Sequence, residues 1–130
     1  MEKQKQITVS LKGRIPSKKN SKQMIHAKGR VFFIPSKQYA EWHREQSKEL
    51  TETKRLKSAQ LPIQEATIEM KITFPDNIRA DLTNKAESVM DLLVDNGILE
   101  DDNHKVCKKV VIESGGVDKQ NAGVRITITY

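Results

Sequence analysis

A chain of 130 residues, 36% hydrophobic and 31% charged, is long enough for one domain with its own core, which excludes a disordered tail and any need for disulfides or a structural metal. Its single cysteine, Cys107, excludes an intrachain disulfide and a zinc knuckle. The net charge of +6 is split unevenly: residues 1–60 hold 15 Lys or Arg against 5 Asp or Glu, residues 61–130 hold 8 against 12, and the halves carry +10 and −4. That division is expected of a basic surface for a polyanion beside a separate acidic centre.

Met1 to Lys5 lead directly into an alternating segment, without the apolar stretch of a signal peptide, and no run reaches membrane-spanning length. A cytoplasmic location and no membrane association are therefore expected. Gln6 to Lys12 alternates Ile7, Val9 and Leu11 with polar residues, the period of a half-buried strand, and Gly13 and Pro16 end it. A basic loop, residues 16–22, follows. Met24 to Ile34 then reads as a hairpin turning at Lys28-Gly29 and closed by Pro35-Ser36. Ser36 is placed to cap a long amphipathic helix through Tyr39, Trp42, His43, Gln46 and Leu50 to about Leu56.

Ala66 to Phe74 alternates again as a strand with one buried face. A second helix is predicted from about Leu82 to Asp95, with Leu82, Ala86, Val89, Met90, Leu93 and Val94 on one stripe, an acidic opposite face, and Asn96-Gly97 as a left-handed stop. Val106 to Ile112 and Val124 to Tyr130 are expected to close the chain as a pair of antiparallel strands around a Gly115-Gly116 loop. The fold class predicted is α+β, one domain over residues 1–130. Its order is strand, hairpin, helix, strand, helix, strand, strand, giving a mixed sheet with two main helices packed on it.

The residues that bear chemistry are Asp81-Leu82-Thr83-Asn84-Lys85, Glu87 and Asp91 on the second helix, and Glu100-Asp101-Asp102-Asn103 beyond it. A helix of about 14 residues advances ~21 Å and an extended return of about five residues recovers ~16 Å, so Asp101 or Asp102 is expected beside Asp81. Carboxylates gathered in this way repel one another, and a hard divalent cation such as Mg²⁺ neutralises them and orients water for attack on phosphorus. Read singly, Asp81 is also a helix cap and Glu100 to Asn103 a solvated turn.

Asp81-Leu82-Thr83-Asn84, Asp91 and Asp101-Asp102, together with Pro16-Ser17 followed by Asn20, resemble the motifs of the RusA-type Holliday junction resolvases at matching spacing. The resemblance spans nearly the whole chain in order of elements and is most specific over residues 79–106. It implies an Mg²⁺-dependent crossover junction endodeoxyribonuclease acting in DNA recombination and repair. It also implies a homodimer that makes paired, symmetric cuts in four-way junctions, with a role in phage recombination. It marks Asp81 and Asp102 as metal-binding catalytic carboxylates, Asp101 as supporting or sharing the metal, and Asp91, an acidic helix position, as a further candidate metal ligand.

Thr83 stands where the family has a second aspartate, and Glu87 where it has a lysine. Glu87 is therefore expected to restore metal-binding charge, Lys85 to replace the cation, and Asn84 to add a neutral oxygen ligand. Lys12, Arg14, Lys18, Lys19, Lys22, Lys28 and Arg30 are expected to meet DNA phosphates without reading sequence. Phe32, Phe33 and Trp42 read as core, and His26, His43 and His104 lack the spacing of a metal motif. Alternative readings are a branched-DNA-binding protein without activity and a nuclease for flaps or other branched DNA.

Overall fold

The computed structural model describes residues 4–17, 22–56 and 61–130, and side chains at 22–25, 32–35 and 53–56 fall outside that description. The elements run β1 (Gln6–Lys12), β2 (Lys22–Ala27), β3 (Arg30–Pro35), α1 (Lys37–Leu56), β4 (Ala66–Phe74), α2 (Leu82–Asp95), β5 (Cys107–Val117) and β6 (Gly123–Thr129). They form an α+β unit of one four-stranded mixed sheet, order β1-β6-β4-β5, and a separate two-stranded sheet, β2-β3.

The alternating sequences set which face is buried. Ile7, Val9 and Leu11 of β1, Ile68, Met70 and Ile72 of β4, and Val124, Ile126 and Ile128 of β6 point to one side and are buried with Trp42 and Leu50 of α1 and Val89, Leu92 and Leu93 of α2. The intervening Thr8, Ser10, Glu69, Lys71 and Arg125 are exposed, so the helices cover one face and water the other. Trp42 is core, as expected.

Local signals act as read. Lys28 and Gly29 have φ of 52° and 71°, the paired positive values that match a two-residue turn to strand twist. Ser36 Oγ accepts a hydrogen bond from the Tyr39 N–H at 3.2 Å, capping α1. Gly97 (φ 69°) ends α2, donating to the Val94 carbonyl while Ile98 donates to that of Leu93.

The closing strands differ from expectation. β5 and β6 do not pair with each other; β5 lies parallel to β4, and β6 lies antiparallel between β1 and β4. The reason is the β4-α2-β5 unit: a helical crossover returns the chain to the end where β4 began, which makes the next strand parallel. β6, whose Ile126 and Ile128 are fully buried, then takes the central position. Gly115-Gly116, expected as a loop, belongs to β5, and the turn falls at Asp118–Asn121, where Asp118 accepts from Gln120 and Asn121 N–H groups.

β1 and β4 both run antiparallel to β6, and Lys12 and Thr73 both face Gly123. The C-terminal ends of β1 and β4 thus share one end of the sheet, and the loop after β1 meets the start of α2.

Candidate nucleic-acid cleft

At that shared end lies an open cleft of about 420 Å³ lined by Arg14, Pro16, Ser17, Gln38, Arg79, Ala80, Asp81, Asn84 and Lys85. Two separate stretches of sequence, Arg14–Ser17 and Asp81–Lys85, supply most of its wall. Outside the C-terminal ends of strands, at a helix N-terminus, is where open sheets commonly hold ligands.

The loop is fixed to the helix by Ser88, whose buried Oγ donates a 2.6 Å hydrogen bond to the Pro16 carbonyl. Ser17 Oγ is buried at the cleft wall with no hydrogen-bond partner among the described residues. A buried hydroxyl so placed has unused hydrogen-bonding capacity for a ligand.

Asp81 occupies the N-cap position of α2 in extended backbone (φ −81°, ψ 123°), yet its side chain caps no backbone N–H. Its Oδ2 instead accepts a 3.1 Å bond from Asn84 Nδ2. The carboxylate is therefore turned toward the cleft, and the capping role open to it in the sequence is not the one it takes.

The cations are arranged around an acid. Arg14 forms an ion pair with Asp76; that hydrogen bond first, and the Ile78 N–H next, hold the Asp76 carboxyl below the usual range. Lys85 has its pKa lowered, chiefly by burial and then by the Arg14 charge, with Asp76 opposing. A lysine depressed by burial beside a second cation gains from an arriving anion. Arg14, Arg79 and Lys85 thus make an anion-attracting wall around Asp81.

Other predicted residues lie elsewhere. Asp101 and Asp102 do not reach Asp81 within one chain. They precede β5, whose first residue Cys107 pairs with Ala66 at the start of β4, whereas Asp81 follows the end of β4. The separation is of the order of β4's length, about 27 Å at 3.3 Å per residue. The return after α2 is not a free extended run, because Ile63 and Leu99 bridge and Glu100 N–H donates to the Ile63 carbonyl.

Asp101 Oδ1 and Oδ2 accept from the Asp102 N–H and Asn103 Nδ2. Asp101 and Asp102 both face Cys107, whose thiol is pushed up first by burial and then by their charges. Both aspartates, like His104, are exposed.

Glu87 is exposed and does not line the cleft. Six residues after Asp81, it sits about 120° round the helix, so it does not replace the missing carboxylate at that wall. Lys85 does line the cleft. Asp91 lies nearly three turns beyond Asp81, outside the cleft lining, and Tyr39 Oη donates to its Oδ2 at 2.6 Å. Among the DNA-contact candidates, Arg14 lines the cleft, Lys12 is exposed just before it, and Lys28 and Arg30 are exposed at the hairpin tip. Lys18 and Lys19, with Asn20, lie outside the described residues, as does the Lys22 side chain.

Sequence reasoning missed the contact between the helices. His43 Nε2 lies 2.8 Å from Asp95 Oδ2, one turn from the Tyr39–Asp91 bond. Among the described residues, His43, Asp91 and Asp95 alone form a His/Asp group compact enough for an ion. Their hydrogen bonds already account for the grouping as a link between α1 and α2. The available signal was the spacing of four in Tyr39/His43 and Asp91/Asp95, two matching polar pairs on facing helices. Arg79 was also missed; its position two residues before Asp81 was the cue.

No family model matches the sequence, and no curated protein matches it.

Proposed function

We propose that the chain is a metal-dependent endonuclease acting on branched DNA, in the manner of the RusA-type resolvases its motifs resemble. The observation that carries this reading is the convergence of Asp81, Asn84 and Lys85 with Arg14 and Ser17 around one cleft. Two motifs noted separately in the sequence, one acidic and one in the N-terminal loop, are seated on one wall by the sheet topology and the Ser88–Pro16 bond, where a single ligand can meet both.

In this reading Arg14, Arg79 and Lys85 hold the phosphate backbone, and contacts of that kind position DNA without reading bases. Asp81 fits a hard cation: its carboxylate is exposed, free of capping duty and beside phosphate-attracting side chains, and Mg²⁺ is commonly held by one or two carboxylates plus substrate phosphates. When bound, the cation supplies Lewis-acid stabilisation of charge on the phosphate oxygens. Asn84 fixes the orientation of Asp81 through its amide N–H, and Lys85, one helical turn along the same wall, stabilises negative charge on the phosphate. A homodimer and the four-way junction as substrate belong to the same proposal, since two matched cuts call for two symmetric sites.

A second reading, a branched-DNA-binding protein without activity, is favoured by one observation: Asp81 is the only carboxylate lining the cleft among the described residues. Incubating the protein with labelled four-way junction, flap and plain duplex, with and without Mg²⁺, separates the two. Nicking of the four-way junction supports the resolvase reading, preference for the flap moves the substrate, and binding without nicking supports the second reading. No helix is long and apolar enough to cross a membrane among the described residues.

A further inference from the structure

The face of the main sheet that the helices leave open carries a hollow of its own, about 330 Å³ in volume. It is lined chiefly by Ser10 and Lys12 of β1, Lys71 and Thr73 of β4, and Gly123 and Arg125 of β6, and among the described residues no carboxylate lines it. The strand register builds it. Ser10, Arg125 and Lys71 stand abreast on β1, β6 and β4, and Lys12, Gly123 and Thr73 form the next row. Gly123, with no side chain, opens the floor between Lys12 and Thr73; a Cβ there would strike the Leu11 carbonyl oxygen.

Arg125 faces Lys71 directly, and like charges opposed across neighbouring strands destabilise a sheet. Among the described residues neither of these two, nor Lys12, is held in an ion pair. Glu113, beside Lys71 on β5, lies outside the hollow. Lys12 and Lys71 are two strands and one two-residue step apart, about 12 Å between Cα atoms, so three cations and two hydroxyls surround one small volume. A phosphate group answers both needs: its charge offsets the repulsion and its oxygens accept from lysine, arginine and hydroxyl donors.

The hollow also adjoins the cleft. Lys12 and Arg14 are two residues apart, a spacing that keeps side chains on one face of a continuous strand. Gly13 breaks the strand between them with a φ of 97°, so Lys12 stays in the hollow while Arg14 lines the cleft at the same end of the sheet.

We infer that the hollow is a second phosphate-binding site, and that its ligand is the backbone of the nucleic acid whose neighbouring segment enters the cleft. Lys71 and Arg125 hold that backbone on the open face, and Lys12 carries it round the end of the sheet toward Arg14. The choice of nucleic acid rests on the endonuclease reading; the site itself rests on the sheet face.

Fluorescence anisotropy of a labelled four-way junction over a salt series tests this with Lys71→Ala/Arg125→Ala. A charge-matched control on the exposed side of α1 is Arg44→Ala/Lys48→Ala. The first variant should lower the magnitude of the log–log slope by about 1.8, about 0.9 for each lost phosphate contact, and the control should leave it unchanged. Lys71→Arg/Arg125→Lys, which keeps both charges, should bind as the wild type does, and Lys71→Gln/Arg125→Gln, closer in side-chain length, should repeat the loss. A wild-type slope in both neutral variants, with wild-type circular dichroism, overturns the assignment.

Two titrations followed by NMR at the Gly123 and Arg125 amides identify the source of the anion. Inorganic phosphate should shift them weakly in the wild type and not in Lys71→Ala/Arg125→Ala, and a poly-glutamate peptide should leave them unmoved. Shifts by phosphate with an unchanged junction slope make the hollow a small-anion site and overturn the nucleic-acid ligand. Shifts by poly-glutamate with that same slope make it a surface for an acidic protein and overturn it equally. A wild type that binds through the hollow yet never nicks removes the endonuclease reading and leaves this site standing, whereas nicking with an unchanged slope removes this site alone.

Discussion

Ser88 and Pro16, 72 positions apart in sequence, are joined by a buried 2.6 Å hydrogen bond from the Ser88 hydroxyl to the Pro16 carbonyl. This bond holds the N-terminal loop against the first turns of α2, so Arg14 and Asp81 face one cleft. Ser88→Ala leaves the carbonyl unpaired in a buried setting and is expected to cost about 1 to 3 kcal/mol. Urea denaturation measures the loss, and weaker DNA binding should accompany it because the loop is no longer seated.

The cleft cations predict a salt response. If Arg14, Arg79 and Lys85 each neutralise a phosphate, affinity for a four-way junction falls steeply with salt. Each Ala substitution should then lower the magnitude of the log–log slope by about 0.9. Fluorescence anisotropy across a salt series reads this directly. Arg14→Ala also releases Asp76 from its ion pair, so its binding defect should be enlarged by the freed carboxylate, which repels phosphate, and is best compared with Arg14→Ala/Asp76→Asn.

Lys85 gives a pH signature. Burial and the Arg14 charge lower its pKa, so the free protein disfavours the cation while a bound phosphate favours it. Phosphate binding therefore promotes proton uptake at this residue, and affinity should fall as pH rises through the lowered pKa. Lys85→Arg, which keeps its charge, should flatten that alkaline decline in a binding titration.

Tyr39 links the helices. It is buried, donates to Asp91, and its own ionisation is driven upward by burial first and by that carboxylate next. Tyr39→Phe removes the donor and should destabilise by about 1 to 3 kcal/mol without changing DNA affinity. Thermal unfolding and anisotropy together check both halves of that statement.

The sequence makes these contacts legible unevenly. Strand periods, the Lys28-Gly29 turn, the Ser36 cap and the Asn96-Gly97 stop are local signals, and the elements they mark form where expected. Pairing partners are not local. Nothing between Val106 and Tyr130 says that β5 seeks β4 in parallel while β6 inserts beside β1, because that choice depends on which strands end up buried on one face. The same gap explains the site. Asp81, Asn84 and Lys85 are adjacent turns of one helix and stayed together, whereas placing Asp101–Asp102 required the path after α2, set by the Ile63–Leu99 bridge. Glu87 and Asp91 share the helix with Asp81, and their angular positions, countable from the sequence, already separate Glu87 from it.

Nicking of a labelled four-way junction in Mg²⁺, by wild type and by Asp81→Asn at concentrations giving equal binding, tests most directly whether the cleft performs phosphodiester hydrolysis. The wild type should cut the junction, and Asp81→Asn should bind it as well while cutting at least about 100-fold more slowly, the scale of losing a group that acts on the transition state. Equal cutting by both proteins, or binding by the wild type with no cutting in Mg²⁺ or Mn²⁺, would contradict the account.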